Sequence, residues 1–296
     1  MSWLRLGRQS PGAGHLVDSA SKFVNTPGPG RVVGVTGAGG APGVTFLSVN
    51  LAVWLADQGV SVCLVDADPV AGAVASQLDL NEDRSLYYLA HESTLALVDD
   101  DLIDRHLQHV GGLSVLAGRS EPGLGAPIPA GIFETVIGLL RRRHQLLIID
   151  LGRMGSHQTM AMAAGCQLLL WVVAPTPLGA DLFDRTVTSA LATQLRPKPN
   201  LAVVNGVGAS ALAEAEGALL GRYGIPVVGR LPHHRPACLE AEAGHRPAVL
   251  GGPLAQPLRR LANSVVAAAM HPVEASAPGP LTLSDPGRLL PHGVRS

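Results

Sequence analysis

Short runs of continuously apolar residues, each followed by a longer segment with helical spacing, restrict the fold of this chain more than any other feature. Arg31–Thr36, Ser61–Asp66, Leu113–Leu116, Leu146–Asp150, Leu168–Val173, Leu201–Asn205 and Pro226–Gly229 are strand-length. They are apolar throughout instead of alternating, the pattern of strands covered on both faces by helices. Between them, Thr45–Gln58, Gly131–Arg143, Gly179–Leu195, Ala209–Tyr223 and Leu254–Met270 place apolar residues three and four apart, as in Ile132, Val136, Leu139 and Leu140. Strand and helix in alternation predict one α/β domain over about residues 31–270, a doubly wound, mostly parallel sheet with helices on both faces. Residues 1–30 and 271–296 are rich in Gly, Pro and Ser and read as a flexible N-terminal segment and a Pro-rich disordered tail. A weak helical pattern at Leu16–Val24 interrupts the first of them.

Charge and composition exclude several classes. With 22 basic and 23 acidic residues interspersed and 3% aromatic residues, the chain has neither the basic footprint nor the stacking platforms of a nucleic-acid binder. No sequence-specific nucleic-acid partner is expected. The three cysteines, Cys63, Cys166 and Cys238, lie far apart without a CxxC pair, which argues against a disulfide scaffold or a thiolate zinc site and for a reducing compartment. No stretch reaches the roughly 18 to 20 apolar residues of a membrane span, and residues 1–30 lack the apolar core of a secretory leader. The expectation is a cytoplasmic protein without a transmembrane segment.

Chemistry concentrates where strands end. Val35-Thr36-Gly37-Ala38-Gly39-Gly40-Ala41-Pro42-Gly43-Val44-Thr45 joins the first strand to the first long helix. Small residues let backbone N–H groups surround an anion, the helix N-terminus adds its positive dipole end, and the Thr45 hydroxyl suits Mg²⁺. Laid on residues 38–45, the pattern GxxxxGK[ST] finds Ala38 at its first glycine and Val44 at its lysine. A generic tight strand-to-helix turn is the competing reading. Asp66 and Asp68 close the second strand and Asp150 closes a later one, so all three carboxylates belong to the sheet edge that carries the loop. At such an edge an aspartate holds Mg²⁺ or orients water; the alternative is helix capping, and for Asp68 capping or a dimer contact stands level with catalysis.

The glycine-rich loop running into Asn50-Leu51-Ala52, Leu64-Val65-Asp66-Ala67-Asp68, Ile148-Ile149-Asp150, Val203-Val204-Asn205 and Ile225 to Pro232 resembles, in order and spacing, the MinD/ParA-type deviant Walker P-loop ATPases. Within them, Leu116-Ala117-Gly118 and Arg141 to Gln145 look most like the CpaE/TadZ-like or septum-site-determining branch. The resemblance implies ATP and Mg²⁺ as ligands, with the backbone of Gly39, Gly40, Ala41, Pro42, Gly43 and Val44 around the phosphates. It implies Thr45, Asp66 and Asp150 at the metal, Asp66 and Asp150 as the catalytic carboxylates, and Asn205 with the loop after Pro232 at the adenine. Since Gly206 follows it, Asn205 also reads as a turn residue, and His233 and His234 read as surface loop residues.

Two departures from the family pattern matter. Its two loop lysines fall here on Val44 and Gly39, and the chain has only Lys22 and Lys198 elsewhere. Arg153 follows Asp150 closely enough to approach a phosphate, although an exposed loop arginine is the plainer reading. The resemblance therefore implies a switch protein with slow or impaired ATP hydrolysis and a nucleotide-dependent homodimer. Its partners would be cell-envelope, pilus or septum assembly proteins that recruit it to the inner membrane face or a pole. A non-catalytic scaffold of the same fold is the alternative, and a small-molecule ligase on a related phosphate-loop fold is a third reading without a supporting nucleophile.

Overall fold

The computed structural model describes residues 29–39, 43–70, 72–93, 97–118, 128–193, 199–208 and 222–270. The expected helix over 209–223 falls almost wholly outside these, as do the two terminal segments, Leu16–Val24, and Gly40, Ala41 and Pro42 of the loop.

The expected strands all form, within one sheet. β1 (Arg31–Gly37), β2 (Val62–Asp66), β3 (Gln108–Val110), β4 (Leu113–Leu116), β5 (Leu146–Arg153), β6 (Leu168–Val173), β7 (Asn200–Val207) and β8 (Val227–Pro232) take the order β3-β4-β2-β5-β1-β6-β7-β8. Every pairing is parallel except that of β3 with β4, an antiparallel edge the apolar pattern did not reveal. The chain leaves β1 toward one half of the sheet and returns to build the other. The order reverses beside β1, and sheets of this kind bind ligands at the carboxyl ends of strands at such a point.

Helices cover both faces. α1 (Val44–Asp57), α2 (Val74–Leu78), α3 (Leu86–Glu92), α4 (Asp100–His106), α5 (Ala130–Arg143), α6 (His157–Gly165), α7 (Pro177–Thr193), α8 (Arg235–Ala243) and α9 (Ala255–Met270) follow in chain order. The strands are apolar throughout because successive residues enter different layers. Leu146 and Ile148 pack with Leu47 and Leu51 of α1 and Leu258 and Leu261 of α9. Leu147, Ile149 and Leu151 pack with Val136 of α5, Met162 of α6 and Phe183 of α7. Asp150 continues the first set, which turns it toward α1.

The sheet centre is tight enough to require a missing side chain. A Cβ on Gly34 of β1 would lie 2.8 Å from Cys166 Sγ, 2.8 Å from Leu151 Cδ1 and 2.9 Å from Leu169 Cδ2. Gly34→Ala is therefore expected to lower stability by about 1–3 kcal/mol through overpacking, read from urea unfolding midpoints.

Candidate functional site

β1 ends at Gly37 and α1 begins at Val44, with Gly43 as its N-cap in the left-handed region, φ 89° and ψ 32°. A Cβ at Gly43 would stand 2.5 Å from Asn205 Nδ2, so the loop closes directly on the end of β7. The N–H groups of the first turn of α1 are thereby aimed at the carboxyl edge of the sheet.

The carboxylates converge from the opposite side of β1. Asp66 and Asp150 are paired residue to residue across β2 and β5, and both are fully buried. Asp66 accepts a hydrogen bond at each oxygen, from the Asp68 N–H at 3.2 Å and the Val74 N–H at 3.1 Å. Asp150 accepts at Oδ1 from the Gly152 N–H at 3.0 Å, while its buried Oδ2 has no hydrogen-bond partner of good geometry among the described residues, the Thr45 hydroxyl standing nearby. Burial pushes the Asp150 carboxyl up to about 6, an effect that the nearby Thr45 hydroxyl and Gly152 N–H oppose. The Asp66 carboxyl is raised well above the ordinary carboxylate range, first by burial and then by the Asp150 charge.

Two acids placed this way repel each other in the folded chain. A buried carboxylate oxygen without a donor is costly unless something absent from the protein itself satisfies it. The oxygens of Thr45, Asp66 and Asp150 are the hard donors that Mg²⁺ takes. Among the described residues no group of three His, Cys, Asp or Glu side chains forms a metal cage, so Mg²⁺ here would complete its shell with water and ligand oxygens. The donor set fits that ion in its usual phosphate-linked role.

Asp68 is half-buried, and its Oδ1 accepts from the Val70 N–H at 2.8 Å, which closes the turn after β2. Gly152, at φ 59°, passes close over it. Asp68 thus closes a turn and does not cap the next helix, α2, whose N-cap is Ala73.

A second element lies toward β7 and β8. A cavity of about 300 Å³ is lined by Gly43, Phe46, Asn205, Pro232, His234 and Glu242, among others, with Leu254 and Leu258 in its apolar wall. Its apolar sides and few polar groups suit a flat heteroaromatic ring. Asn205 belongs to β7, paired with Leu231, and its amide faces the phosphate-loop end of α1 rather than completing a free turn.

Sequence reasoning placed Thr45, Asp66, Asp150, Gly43, Asn205 and Pro232 at this edge, and the fold brings them there. It missed Phe46, Cys238 and Glu242 as cavity walls, and it read His233 and His234 only as loop residues. His234 in fact accepts the Ala237 N–H at 3.2 Å through Nδ1 and starts α8. The His-Arg-Pro sequence at 234–236 carried that signal, since Pro favours the first helical turn. Val44 is buried among the core residues beneath the loop, so its side chain serves packing. Gly39 lies against Leu182 of α7, whose Cδ1 is 2.8 Å from where a Cβ would be.

Residues 33–247 match the family model described as the CobQ/CobB/MinD/ParA nucleotide binding domain. The fold is similar to that of the cell division ATPase MinD of Pyrococcus furiosus, with a TM-score of 0.67, 21% identity, and coverage of 80% of this chain and 98% of that one. It is also similar to the septum site-determining protein MinD of Pyrococcus horikoshii, solved with Mg-ADP, at a TM-score of 0.67, 18% identity, and 79% and 95% coverage. A ParA family ATPase of Chlorobium tepidum gives a TM-score of 0.65, 17% identity, and 81% and 99% coverage. No curated protein matches in sequence.

Proposed function

Because this chain belongs to the CobQ/CobB/MinD/ParA nucleotide-binding family, we propose that it is an ATP-binding switch that hydrolyses ATP slowly and changes its assembly or partner state with the bound nucleotide. The observation that carries this reading is the buried Oδ2 of Asp150, without a well-formed hydrogen bond among the described residues, beside the Thr45 hydroxyl and under a loop pinned by left-handed Gly43. A purely structural domain gains nothing from two facing buried acids.

The residues divide the work as follows. The backbone of Gly39 through Val44, with Gly40, Ala41 and Pro42 among them, surrounds the phosphates, and every residue of it except Pro42 brings an N–H donor. Thr45 and Asp150 hold Mg²⁺, which supplies charge neutralisation at the phosphates when bound. Asp66, its two oxygens already engaged by backbone N–H groups, is held rigidly enough to orient a water through its remaining lone pairs. Asn205 and the turn after Pro232 receive the adenine in the cavity.

Val44 in the core accounts for slow turnover. Its position carries no cation, and losing one preorganised donor to a developing charge costs roughly 3 to 4 kcal/mol of barrier, a factor of 10² to 10³ in rate. Binding survives through amides, helix dipole and metal. The same burial favours a second reading, a scaffold that binds nucleotide without turnover.

The partners are envelope, pilus or septum assembly proteins that place the chain at the inner membrane face or a pole. Among the described residues no helix is long and apolar enough to cross a membrane. The test is the particle mass of the full chain by light scattering with Mg²⁺-ATP, Mg²⁺-ADP and neither, alongside phosphate release. A mass change specific to ATP, absent in Thr45→Ala, is expected, with phosphate release slowed roughly 10²- to 10³-fold for want of one preorganised donor. Equal masses in all three states, with no partner captured differently by ATP and ADP, would refute the switch. Nucleotide binding without phosphate release would select the scaffold.

A further inference from the structure

The site described above gathers Asp66, Asp68 and Asp150 at one edge and is proposed to take a polyphosphate, yet no lysine occurs among the described residues. The loop position that would carry a cation holds Val44, buried in the core. Beyond the amides, the helix dipole and the metal, a positive charge at the terminal phosphate would have to come from a residue outside the loop. The backbone around Arg153 answers where.

β5 lies directly beside β1, and Arg153 pairs with Gly37, the residue at which the phosphate loop begins. The register shifts just before this point: Val35 pairs with Asp150 and Gly37 with Arg153, so β5 uses one more residue than β1. Gly152 absorbs the extra residue at φ 59°, a conformation that favours glycine. Two hydrogen bonds then fix the segment. The Thr36 hydroxyl donates to the Gly152 carbonyl at 3.1 Å, and the Met154 N–H donates to the Gly37 carbonyl at 2.9 Å. Neighbouring strands stand about 4.8 Å apart, so the Arg153 backbone is one strand spacing from the base of the loop.

The side chain is unengaged. Arg153 is exposed and makes no ion pair or side-chain hydrogen bond among the described residues, whereas Arg143, Arg185 and Arg222 are each held by an aspartate. The direction of the ligand follows from the sheet order. The ring cavity lies toward β7 and β8, and β5 lies on the other side of β1. A triphosphate extended from that cavity across the loop has its terminal phosphate at β5.

We propose that Arg153 is a nucleotide-contacting residue, its guanidinium pairing with the terminal phosphate of a bound nucleoside triphosphate in place of a loop lysine. The inference rests on the nucleotide-binding reading above. Arginine suits the task, since its planar fork pairs with two phosphate oxygens and stays charged at all working pH values.

The test is calorimetric titration of the full chain with Mg²⁺-ATP, Mg²⁺-ADP and AMP, for the natural sequence, Arg153→Ala and Arg153→Lys. Arg153→Ala is expected to weaken ATP about tenfold or more, ADP less, and AMP not at all, the loss of one charge-assisted contact to the last phosphate. Arg153→Lys should recover part of the ATP affinity, and unchanged thermal unfolding of both variants should show an intact fold. Equal affinities for ATP in the natural chain and Arg153→Ala would overturn the inference and leave nucleotide binding standing. Absence of binding by the natural chain would overturn both.

Discussion

Asp150→Asn is expected to make the ligand-free protein more stable at pH 7.5 by about 2–3 kcal/mol, while abolishing Mg²⁺-dependent nucleotide binding. The sign follows from linkage. The Asp150 carboxyl is raised from an ordinary 3.8 to about 6 by burial, so the folded chain holds that proton more tightly than the unfolded one. Stability therefore falls as pH rises between those values and carries the full penalty above about 6. The Asn side chain keeps the oxygen that accepts the Gly152 N–H and places an amide beside the Thr45 hydroxyl, without a charge facing Asp66. Urea unfolding at pH 7.5 should show the gain, and at pH 4 it should nearly vanish. A variant less stable than the natural chain at pH 7.5 would mean that the carboxylate is satisfied by the fold alone, and that no ligand is needed to explain it.

The second large effect is expected at Gly43. Alanine there must occupy φ 89°, which costs an L-residue roughly 1–2 kcal/mol, and its Cβ would fall 2.5 Å from Asn205 Nδ2. The loop and the ring cavity meet at this contact, so relief of the clash displaces one or the other. Gly43→Ala should therefore lose ATP binding below detection as well as about 2 kcal/mol of stability. Adding Asn205→Ala to it separates the two causes. The double variant should regain the part of stability due to the clash and keep the part due to φ, and a double-mutant cycle reads the difference. Undiminished ATP affinity in Gly43→Ala would show that the loop conformation is irrelevant to binding.

The fold was legible wherever burial on two faces imposed continuous apolar runs. β1, β2, β4, β5 and β6 were found within a residue or two except at the end of β5, where Leu151-Gly152-Arg153 extends the strand beyond its apolar run. β3 was missed because Gln108-His109-Val110 sits at an edge and needs no second apolar face. α2, α3 and α4 are five to seven residues long, too short for a helical period to show, and α8 buries none of its residues. At the site, strand-end position correctly grouped Asp66 and Asp150, because carboxyl ends of parallel strands share one edge. It did not reveal that they oppose each other in register, that one oxygen lacks a well-formed hydrogen bond among the described residues, or that Gly43 abuts Asn205. Those facts arise from strand order and from contacts across 162 positions of chain, which no local pattern encodes.

The sequence showed that Val44 is not a lysine; only the structure shows that its side chain is committed to the core. With that position spent on packing, the proposed nucleotide site would draw its affinity from backbone amides, Mg²⁺ and Arg153, so metal dependence is its sharpest expected property. The most direct measurement is calorimetric titration of the full chain with ATP at pH 7.5, once with Mg²⁺ and once with excess EDTA. Saturable binding of ATP with Mg²⁺ is expected, with a loss of at least about tenfold without the metal. No binding at millimolar ATP with Mg²⁺ present, or equal binding with and without the metal, would contradict the proposed site.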